Sequence, residues 1–462
     1  MRAHALACVL LSVVLVGTAC GARLTTAQRS AGIGGLVSTQ GNNTSAGPQA
    51  TSSASTGPNA IGSNGLLTGP SATGSAAASL PPGGNGGATA TGVTATTITL
   101  ATASDVSGVQ PGIFRSSWQA MQALAQYVNI SGGIYGRQIK NLLLDSKADS
   151  VANRAAVTQA CDQSFALVGS MSAFDDGGAS VGQQCGIPDI SAITVNHART
   201  MATNVYPASP NRPDLFNTSW GLYIKNKYPE AIKHAAILWL NAGAPIQNGQ
   251  QRMHALTNLG FNFVYQAETQ VLEANYGPYV QAMKNKGVQF VTMVSDYQSI
   301  VRLEKAMEEQ SWFPAVRVWD SVAYSQNFLN QAGTSGNGAL VFINTAMFEE
   351  AVSNPELQLY ETWLQRVAPG AVPDYFGVYA WSAGRLFLKA ALAAGAHLTR
   401  AGLFEQLKLI HSWNDYGMHV TQDIGSKREA NCIMYMEIRN QHFARIDPSS
   451  GWRCQGSLMR VS

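Results

Sequence analysis

The chain has 462 residues, enough for more than one compact domain, and only 12% of them are charged. Its formal charge of +3 comes from the N-terminal region, because no acidic residue precedes Asp105 while Arg2, Arg23 and Arg29 do; from Asp105 onward 27 basic side chains balance 27 acidic ones. This balance excludes a fold built as a basic nucleic-acid binder, and the lack of apolar runs of roughly 20 residues excludes a multi-span membrane protein.

The first nineteen residues are typical of an export signal. A short positive start is followed by the apolar run 5–16, and the small residues 17–19 lead directly to Cys20. This ending resembles a bacterial lipobox, in which the cysteine becomes the lipid-modified N-terminus, although Gly17 stands where that pattern prefers leucine. We expect residues 1–19 to be a lipoprotein export signal and Cys20 to be lipidated. A plain secretory signal with an incidental cysteine is the alternative.

Residues 20–92 are predicted to be a lipid-anchored, disordered tether. From Gly21 to Gly92 the chain contains no Asp, Glu or Lys, and 16 of the 45 glycines lie there. A segment so poor in large apolar side chains cannot bury enough surface to offset its ordering entropy. Its glycine runs do not predict a phosphate loop, because no strand precedes them and no GK[ST] follows.

Residues 93–462 alternate short apolar strands with amphipathic helices, which predicts parallel sheets covered on both faces. Since a single core stops growing near ~250–300 residues, two lobes are expected. The fold class is therefore α/β, with two doubly wound parallel-sheet lobes. The predicted strands are Thr96–Ala101, Ile139–Asp145, Phe165–Val168, Ile187–Ile190, Ala235–Leu240, Phe263–Gln266, Phe290–Met293, Val316–Trp319 and Ala339–Ile343. The predicted helices include Ile113–Val128, Pro278–Lys286 and Gln298–Gln310.

Four cysteines follow the tether, and an even number in an exported chain predicts two disulfides. Three pairings are possible. Cys161 and Cys185 each lie just before a predicted strand, so they would meet at one end of the sheet if those strands are parallel neighbours. This arrangement favours Cys161–Cys185 and leaves Cys432–Cys454. A zinc site is the alternative, but no CxxC or histidine cluster supports it.

No motif for catalysis or metal binding is present: the chain lacks GxxxxGK[ST], GxSxG, HExxH and EF-hand spacing, and its eight histidines are scattered. His197 could reach a cleft, but a solvated loop histidine is the simpler interpretation. Asp175 and Asp176 are adjacent carboxylates, and beside two glycines they predict the start of a helix. We expect no enzyme activity, no cofactor and no metal.

Several segments, in order and spacing, resemble type I periplasmic solute-binding proteins of the branch that binds leucine, isoleucine and valine. The turn NISGGIYGR at 129–137 and LLDS at 143–146 are joined by ALVGSMS at 166–172, GIPDIS at 186–191 and YFGVYAWSAGRLFLKAA at 375–391. The resemblance covers essentially all of the chain after the tether. The glycines and the arginine of the first turn are expected to be structural, because such a turn needs left-handed backbone angles.

The resemblance implies a ligand cleft between the two lobes, at the carboxyl ends of the strands. We place lobe 1 at residues 93–210 with 345–425 and lobe 2 at residues 211–344 with 426–462. Hinge closure would then bend the chain near Ala208–Pro213 and near Ile343–Thr345.

The function that this implies is an extracytoplasmic lipoprotein on the outer face of the cytoplasmic membrane. It would capture an amino acid, an amide or a related carboxylate and deliver it to an ABC permease, touching the membrane only through its lipid anchor and binding no nucleic acid. A ligand-sensing lipoprotein of the same fold without a transport role is the alternative. An exported enzyme is the least favoured.

Three loops of the first lobe follow strand ends, at Ser104–Gly108, Ser170–Asp176 and Ala192–Asn196, and their hydroxyls and N–H groups could hold an anion or a carbonyl. In amino-acid-binding relatives the second loop offers a serine and the third a threonine to the ligand carboxylate. Here those positions hold Ala173 and Val195, and the hydroxyls stand one place earlier, at Ser172 and Thr194. This departure argues against an α-amino-acid ligand unless the alignment shifts by one residue.

The second lobe of such proteins supplies an aromatic residue and an acid. Asp320 is the predicted partner of a ligand cation, with a helix N-cap as the alternative role, whereas Phe342, Tyr375 and Trp239 are expected in the core. The predicted ligand-binding residues are Ser104, Ser107, Ser172, Ala173, Thr194, Val195, Tyr297, Asp320 and Tyr324.

Overall fold

The structure is a computed structural model that describes residues 77–212 and 214–461. The predicted export signal, the predicted lipidation of Cys20 and residues 21–76 of the predicted tether lie outside the described residues. Within the described ranges, every helix is too short or too polar to cross a bilayer.

The described residues contain thirteen strands, numbered here in chain order. They are β1 (Thr97–Ser104), β2 (Gln138–Asp145), β3 (Ala166–Val168), β4 (Asp189–Ile190), β5 (Leu215–Asn217), β6 (Ala235–Leu240), β7 (Phe263–Thr269), β8 (Phe290–Val294), β9 (Val316–Trp319), β10 (Leu340–Ile343), β11 (Met434–Arg439), β12 (His442–Asp447) and β13 (Leu458–Arg460).

Twelve α-helices lie in the same described ranges. They are α1 (Arg115–Ile130), α2 (Ser150–Gln163), α3 (Asp176–Cys185), α4 (His197–Met201), α5 (Ser219–Lys227), α6 (Ala244–Asn258), α7 (Gly277–Asn285), α8 (Tyr297–Glu309), α9 (Gln326–Ala332), α10 (Pro355–Val367), α11 (Tyr375–Ala394) and α12 (Arg400–Lys408).

The strands form two main sheets, which confirms the predicted α/β class. The first lobe is built on a parallel sheet in the order β2-β1-β3-β4, and the second on a sheet in the order β12-β11-β10-β9-β8-β6-β7. The second sheet is parallel from β10 to β7, and β11 and β12 join it as an antiparallel hairpin. A separate antiparallel pair joins β5 to β13.

The core of the first lobe joins the N-terminal sheet to helices from late in the chain. Met121, Leu124 and Val128 of α1 are fully buried there against residues of α11. α11 is buried over most of its circumference, with Trp381 and Phe387 fully covered. A helix that is apolar on all sides packs in the interior. Here α11 packs against β3 and β4 of the first sheet.

The folded region begins before residue 93, which corrects the predicted end of the tether. Arg137 is fully buried, and its guanidinium donates to the carbonyls of Asn85 at 2.5 Å and Gly87 at 3.0 Å. The side chain of Asn85 in turn donates to the carbonyl of Tyr135 at 3.0 Å. A buried cation must have its donors satisfied, and here backbone carbonyls of a glycine-rich segment supply the acceptors. Arg137 is structural, as expected.

Two disulfides are present, in the pairing favoured by the sequence argument. Cys161 at the end of α2 bonds to Cys185 at the end of α3, and Cys432 bonds to Cys454 beside the C-terminal hairpin. β3 and β4, which follow the first two cysteines, are parallel neighbours. The geometry on which the favoured pairing depended is therefore observed.

Candidate functional site

A cavity of about 370 Å³ lies between the two lobes. Its first-lobe wall consists of loops that follow β1, β3 and β4, and its second-lobe wall consists of segments that follow β6, β8 and β9. Open α/β sheets bind ligands outside the carboxyl ends of their strands. Nine aromatic residues line the cavity: Phe114, Phe174, Phe216, Trp220, Tyr297, Tyr324, Phe342, Tyr375 and Phe376.

Hydrogen bonds join the loops of the two lobes across this cleft. Gln110 Nε2 donates to Asp296 Oδ2 at 2.7 Å, and the N–H of Ala244 donates to the carbonyl of Ala173 at 2.9 Å. The two walls are thus in direct contact, and the structure has the cleft closed.

Five of the nine predicted ligand-binding residues line the cavity: Ala173, Val195, Tyr297, Asp320 and Tyr324. The four predicted hydroxyl residues do not line it. The loops after β1, β3 and β4 lie at the cavity, but apart from Gln110 the side chains that they present to it are apolar.

Ser104 and Ser107 are directed to partners within the first lobe. Ser104 is fully buried, and its Oγ shares a hydrogen bond of 2.7 Å with Ser117 Oγ. Ser107 is exposed, and its N–H donates to Asp145 Oδ1 at 3.1 Å. Both residues were predicted to contact the ligand. The loop after β1 instead turns these groups toward β2 and α1.

The Asp105 carboxylate accepts the hydrogen bonds of the loop after β3. Its carboxylate accepts from Ser172 Oγ at 2.9 Å, from the N–H of Ala173 at 2.8 Å, from Ser146 Oγ at 2.5 Å and from the N–H of Ala148 at 3.1 Å. Burial raises the pKa of Asp105, while these four bonds act in the opposite direction. Ser172, which was predicted to bind the ligand, therefore donates its hydrogen bond to a carboxylate of the protein.

The Asp175 carboxylate likewise accepts hydrogen bonds from the loop after β4. It accepts from the N–H of Val195 at 3.0 Å and from the N–H and Nδ2 of Asn196 at 3.1 and 2.9 Å. Burial raises the pKa of Asp175 to about 7, against the positive charge of Arg199 and these bonds. α3 begins at the next residue, as predicted, but the Asp175 carboxylate bonds to the neighbouring loop. Thr194 is fully buried behind this loop, away from the cavity.

Asp320, the predicted partner of a ligand cation, already has a cation. Arg252 Nη2 donates to Asp320 Oδ2 at 2.7 Å, with the two side chains 13% and 14% exposed. The guanidinium lies 5.5 Å from the ring centre of Trp220 and 6.0 Å from that of Phe342, and these two rings stack 4.8 Å apart. Asp320 Oδ1 also accepts from the N–H of Val322 at 3.3 Å, which is the alternative capping role.

The division of the aromatic residues between core and cavity differs in part from the sequence prediction. Phe342, Tyr375 and Trp239 were expected in the core. Tyr375 is buried in the first-lobe core and also lines the cavity, Phe342 lines the cavity, and Trp239 is buried away from it. Tyr324 lines the cavity, yet its hydroxyl donates to Glu349 Oε2 at 2.6 Å and accepts from the N–H of Phe348 at 2.6 Å. It offers a ligand a ring and no free hydroxyl.

Glu429 is an acidic side chain of the cavity that sequence reasoning missed. It lies in the segment that leads into β11, and within the described ranges no hydrogen bond or ion pair reaches its carboxylate. Burial raises the pKa of Glu429 to about 8 with no opposing contribution from a neighbour. No motif marks this position, since the flanking sequence KREAN is that of an ordinary polar loop.

No three histidine, cysteine or acidic side chains of residues 77–212 and 214–461 cluster in a way that could hold a metal ion. The cavity is lined by aromatic rings, aliphatic side chains, amides, serine hydroxyls, one arginine and four carboxyl groups. The four are Asp296, Asp320, Asp374 and Glu429.

The sequence profile of the periplasmic binding protein family matches residues 97–442. Among solved structures, the chain is similar to a fatty acid ABC transporter substrate-binding protein from Thermomonospora curvata, at 16% identity and a TM-score of 0.67 over 83% of this chain and 95% of that one. It is also similar to the leucine binding protein LivK from Thermotoga maritima, at 14% identity and a TM-score of 0.65 over 78% and 99%.

A third similar structure is the branched-chain amino acid transporter substrate binding protein LivJ from Streptococcus pneumoniae in complex with isoleucine, at 12% identity and a TM-score of 0.64 over 79% of this chain and 100% of that one. No curated protein sequence matches the chain. At these identities the structural likeness establishes the fold.

Proposed function

Because this chain belongs to the periplasmic binding protein family, we propose that it is an extracytoplasmic solute-binding lipoprotein that captures a small molecule between its lobes and delivers it to an ABC permease. The observation that carries the proposal is the cavity of about 370 Å³ between the two sheets. This volume lies at the lower end of the ~300–1,000 Å³ of small-molecule sites. No catalytic role is proposed.

Capture would work by hinge closure. A molecule that contacts both walls binds the closed form better than the open form, and so shifts the population toward closure. The bonds from Gln110 to Asp296 and from Ala244 to Ala173 join the walls directly and would form on closure. The hinge segments that we propose are residues 208–213, 343–345 and 425–433.

Ligand binding is tested first by thermal unfolding of the mature chain with a panel of amino acids, amides, amines and carboxylates. A ligand at one hundred times its dissociation constant adds about 2.7 kcal/mol to the free energy of unfolding, which shifts the melting temperature by a few degrees. A saturable shift supports the proposal. Unfolding that no small molecule affects, together with no small molecule released from the purified protein on denaturation, contradicts it.

The anchor and the permease need separate tests. Replacement Cys20→Ala should move the protein from the membrane fraction to the soluble fraction of the exporting cell, whereas the retained membrane location of that variant would contradict the lipid anchor. Loss of uptake of the identified ligand when the gene is deleted supports delivery to a permease. Unchanged uptake in the presence of tight binding would instead favour a ligand-sensing role.

A further inference from the structure

The walls of the cavity are acidic. Four carboxyl side chains line it and Arg252 is its one basic side chain within the described ranges. Three of the four acids have partners in the protein: Asp296 accepts from Gln110 and from the N–H of Ser299, Asp320 accepts from Arg252, and Asp374 accepts from the N–H of Gly377. The fourth, Glu429, has none.

Three donors that an anion could use are already engaged within the protein. The N–H groups of Ala173 and Val195 donate to Asp105 and Asp175, and the guanidinium of Arg252 donates to Asp320. A ligand carboxylate would have to displace a carboxylate of the protein at each of these places. A neutral or positively charged ligand displaces nothing.

The surroundings of Glu429 are suited to an organic cation. Tyr375 lies near it: the N–H of the next residue, Ala430, donates to Gln422 Oε1 at 2.8 Å, Gln422 Nε2 donates to the Tyr379 hydroxyl at 3.4 Å, and the rings of Tyr379 and Tyr375 lie 5.2 Å apart. Phe376 and Tyr297 line the same cavity. Aromatic faces attract ammonium groups, and a half-buried carboxylate without a partner in the protein is stabilised by an opposite charge.

From this arrangement we infer, on the basis of the proposed function, that the ligand is an organic cation with an apolar or aromatic body, and that the Glu429 carboxylate is its counter-charge. The ammonium would lie against Glu429 and Tyr375, and the apolar body would fill the space lined by the remaining aromatic rings. Asp320 would stay with Arg252 and would shape the second-lobe wall.

The test uses molecules that differ only in charge. Phenethylamine, phenylalanine and 3-phenylpropionate share one ring and chain, and isoamylamine, leucine and 4-methylpentanoate form a second series on an aliphatic body. Their affinities for the mature chain are measured by calorimetry at pH 8. The amine of at least one series should bind, its zwitterion should bind at least roughly tenfold more weakly, and its carboxylate should not bind.

Glu429→Gln should lower the affinity for the amine roughly 30-fold or more, the usual consequence of removing one partner of a buried charge pair. Glu309→Gln is the matched control, because it removes the same charge from an exposed position on α8 and should leave the affinity unchanged. Circular dichroism and the melting temperature verify that both variants are folded.

The inference is overturned if a zwitterion or a carboxylate binds as tightly as the matching amine, or if Glu429→Gln retains amine affinity; solute binding itself would then still stand. If no probe binds, mass spectrometry of small molecules released from the purified protein separates the two proposals. A released molecule without a positive charge overturns the cation alone, and the absence of any released molecule counts against both.

Discussion

Two carboxyl groups at the cavity differ in their hydrogen bonds. Asp105, fully buried behind the first-lobe loops, accepts four hydrogen bonds from the loops around it. Glu429, which lines the cavity and is half-buried, accepts none from the described residues. Burial raises the pKa of both groups. The number of donors therefore distinguishes them: Asp105 serves the structure of the loops, and Glu429 is left with unused hydrogen-bonding capacity that a ligand can satisfy.

The largest expected effect comes from removing the structural carboxylate. Asp105→Ala leaves four donors without their acceptor, and should lower the free energy of unfolding by roughly 3 kcal/mol. Urea unfolding at pH 7 measures it. Because the vacated space is shaped for a carboxylate, formate should restore part of the loss and chloride should not.

The control is Asp176→Ala at the exposed start of α3, for which we expect a loss below about 1 kcal/mol. A similar loss in the two variants, or no rescue by formate, would mean that the first-lobe wall does not depend on its internal carboxylate.

The second effect concerns the pH dependence of amine binding. With its pKa raised to about 8, Glu429 is mostly protonated in the empty cavity at pH 6 and ionised above pH 8. Affinity for an amine that stays charged should therefore rise about 50-fold from pH 6 to pH 8, since the carboxyl group must lose its proton to pair. In Glu429→Gln the residual affinity should not follow this curve.

The ionisable groups around Glu429 must be considered in the same experiment. Burial raises the pKa values of Tyr375 and Tyr379 on α11, which therefore stay protonated, and Arg428 precedes Glu429 in the chain. Lys427, whose pKa burial lowers to about 8, is still present in the Glu429→Gln variant. A curve of equal steepness in wild type and variant would assign the effect to another group.

Stability gives an independent check on the same carboxyl group. Between the ordinary pKa near 4.5 and about 8, the folded protein holds a proton that the unfolded chain has released, so stability falls as the pH rises through this window. Glu429→Gln lacks this decline, and at pH 8 the empty variant should be more stable than wild type by at least about 1 kcal/mol. Equal stability at both pH 5 and pH 8 would show that the carboxyl group is well solvated.

The third effect tests why Arg252 does not attract carboxylates. Asp320→Asn removes the negative charge that pairs with Arg252, whose guanidinium lies 5.5 and 6.0 Å from the centres of two rings that stack on each other. The variant should gain affinity for 4-methylpentanoate or 3-phenylpropionate, roughly tenfold above wild type, because a ligand carboxylate can then form the charge-assisted pair. The double variant Asp320→Asn with Arg252→Gln is the control and should lose this gain. No gain in the single variant would mean that Arg252 is not accessible from the cavity.

The sequence predicted the fold better than the site, for physical reasons. Fully buried parallel strands are continuous apolar runs, and Ala235–Leu240 and Val316–Trp319 are observed with the predicted bounds. Residues 78–92 contain no such apolar run. Carbonyls of this segment accept hydrogen bonds from Arg137, and backbone acceptors cannot be recognised from the pattern of side chains. The start of the folded region was therefore placed too late.

For the site, the loops after parallel strands could be located, but the partners of their polar groups could not. Asp320 looked available because Arg252 is 68 residues away in sequence, and the two meet only in the folded chain. Glu429 looked ordinary because nothing nearby in the sequence shows that its loop borders the cavity. Which carboxylate is paired and which is free depends on tertiary contacts, and this distinction decides the kind of ligand that the cavity can hold.

The smallest expected effect concerns the contact between the walls. Gln110→Ala removes the hydrogen bond to Asp296 but no part of the inferred cation site. Since the bond exists only when the walls meet, its loss should destabilise the closed form and speed release of a bound amine by roughly three- to tenfold, which corresponds to the ~0.5–1.5 kcal/mol of one hydrogen bond. Stopped-flow release kinetics measures this rate.

Gln159→Ala on the exposed face of α2 is the matched control and should leave the release rate unchanged. Because Asp296 also accepts from the N–H of Ser299, it keeps a partner in the variant. An unchanged release rate in Gln110→Ala would therefore show that the Gln110–Asp296 bond does not stabilise the closed form.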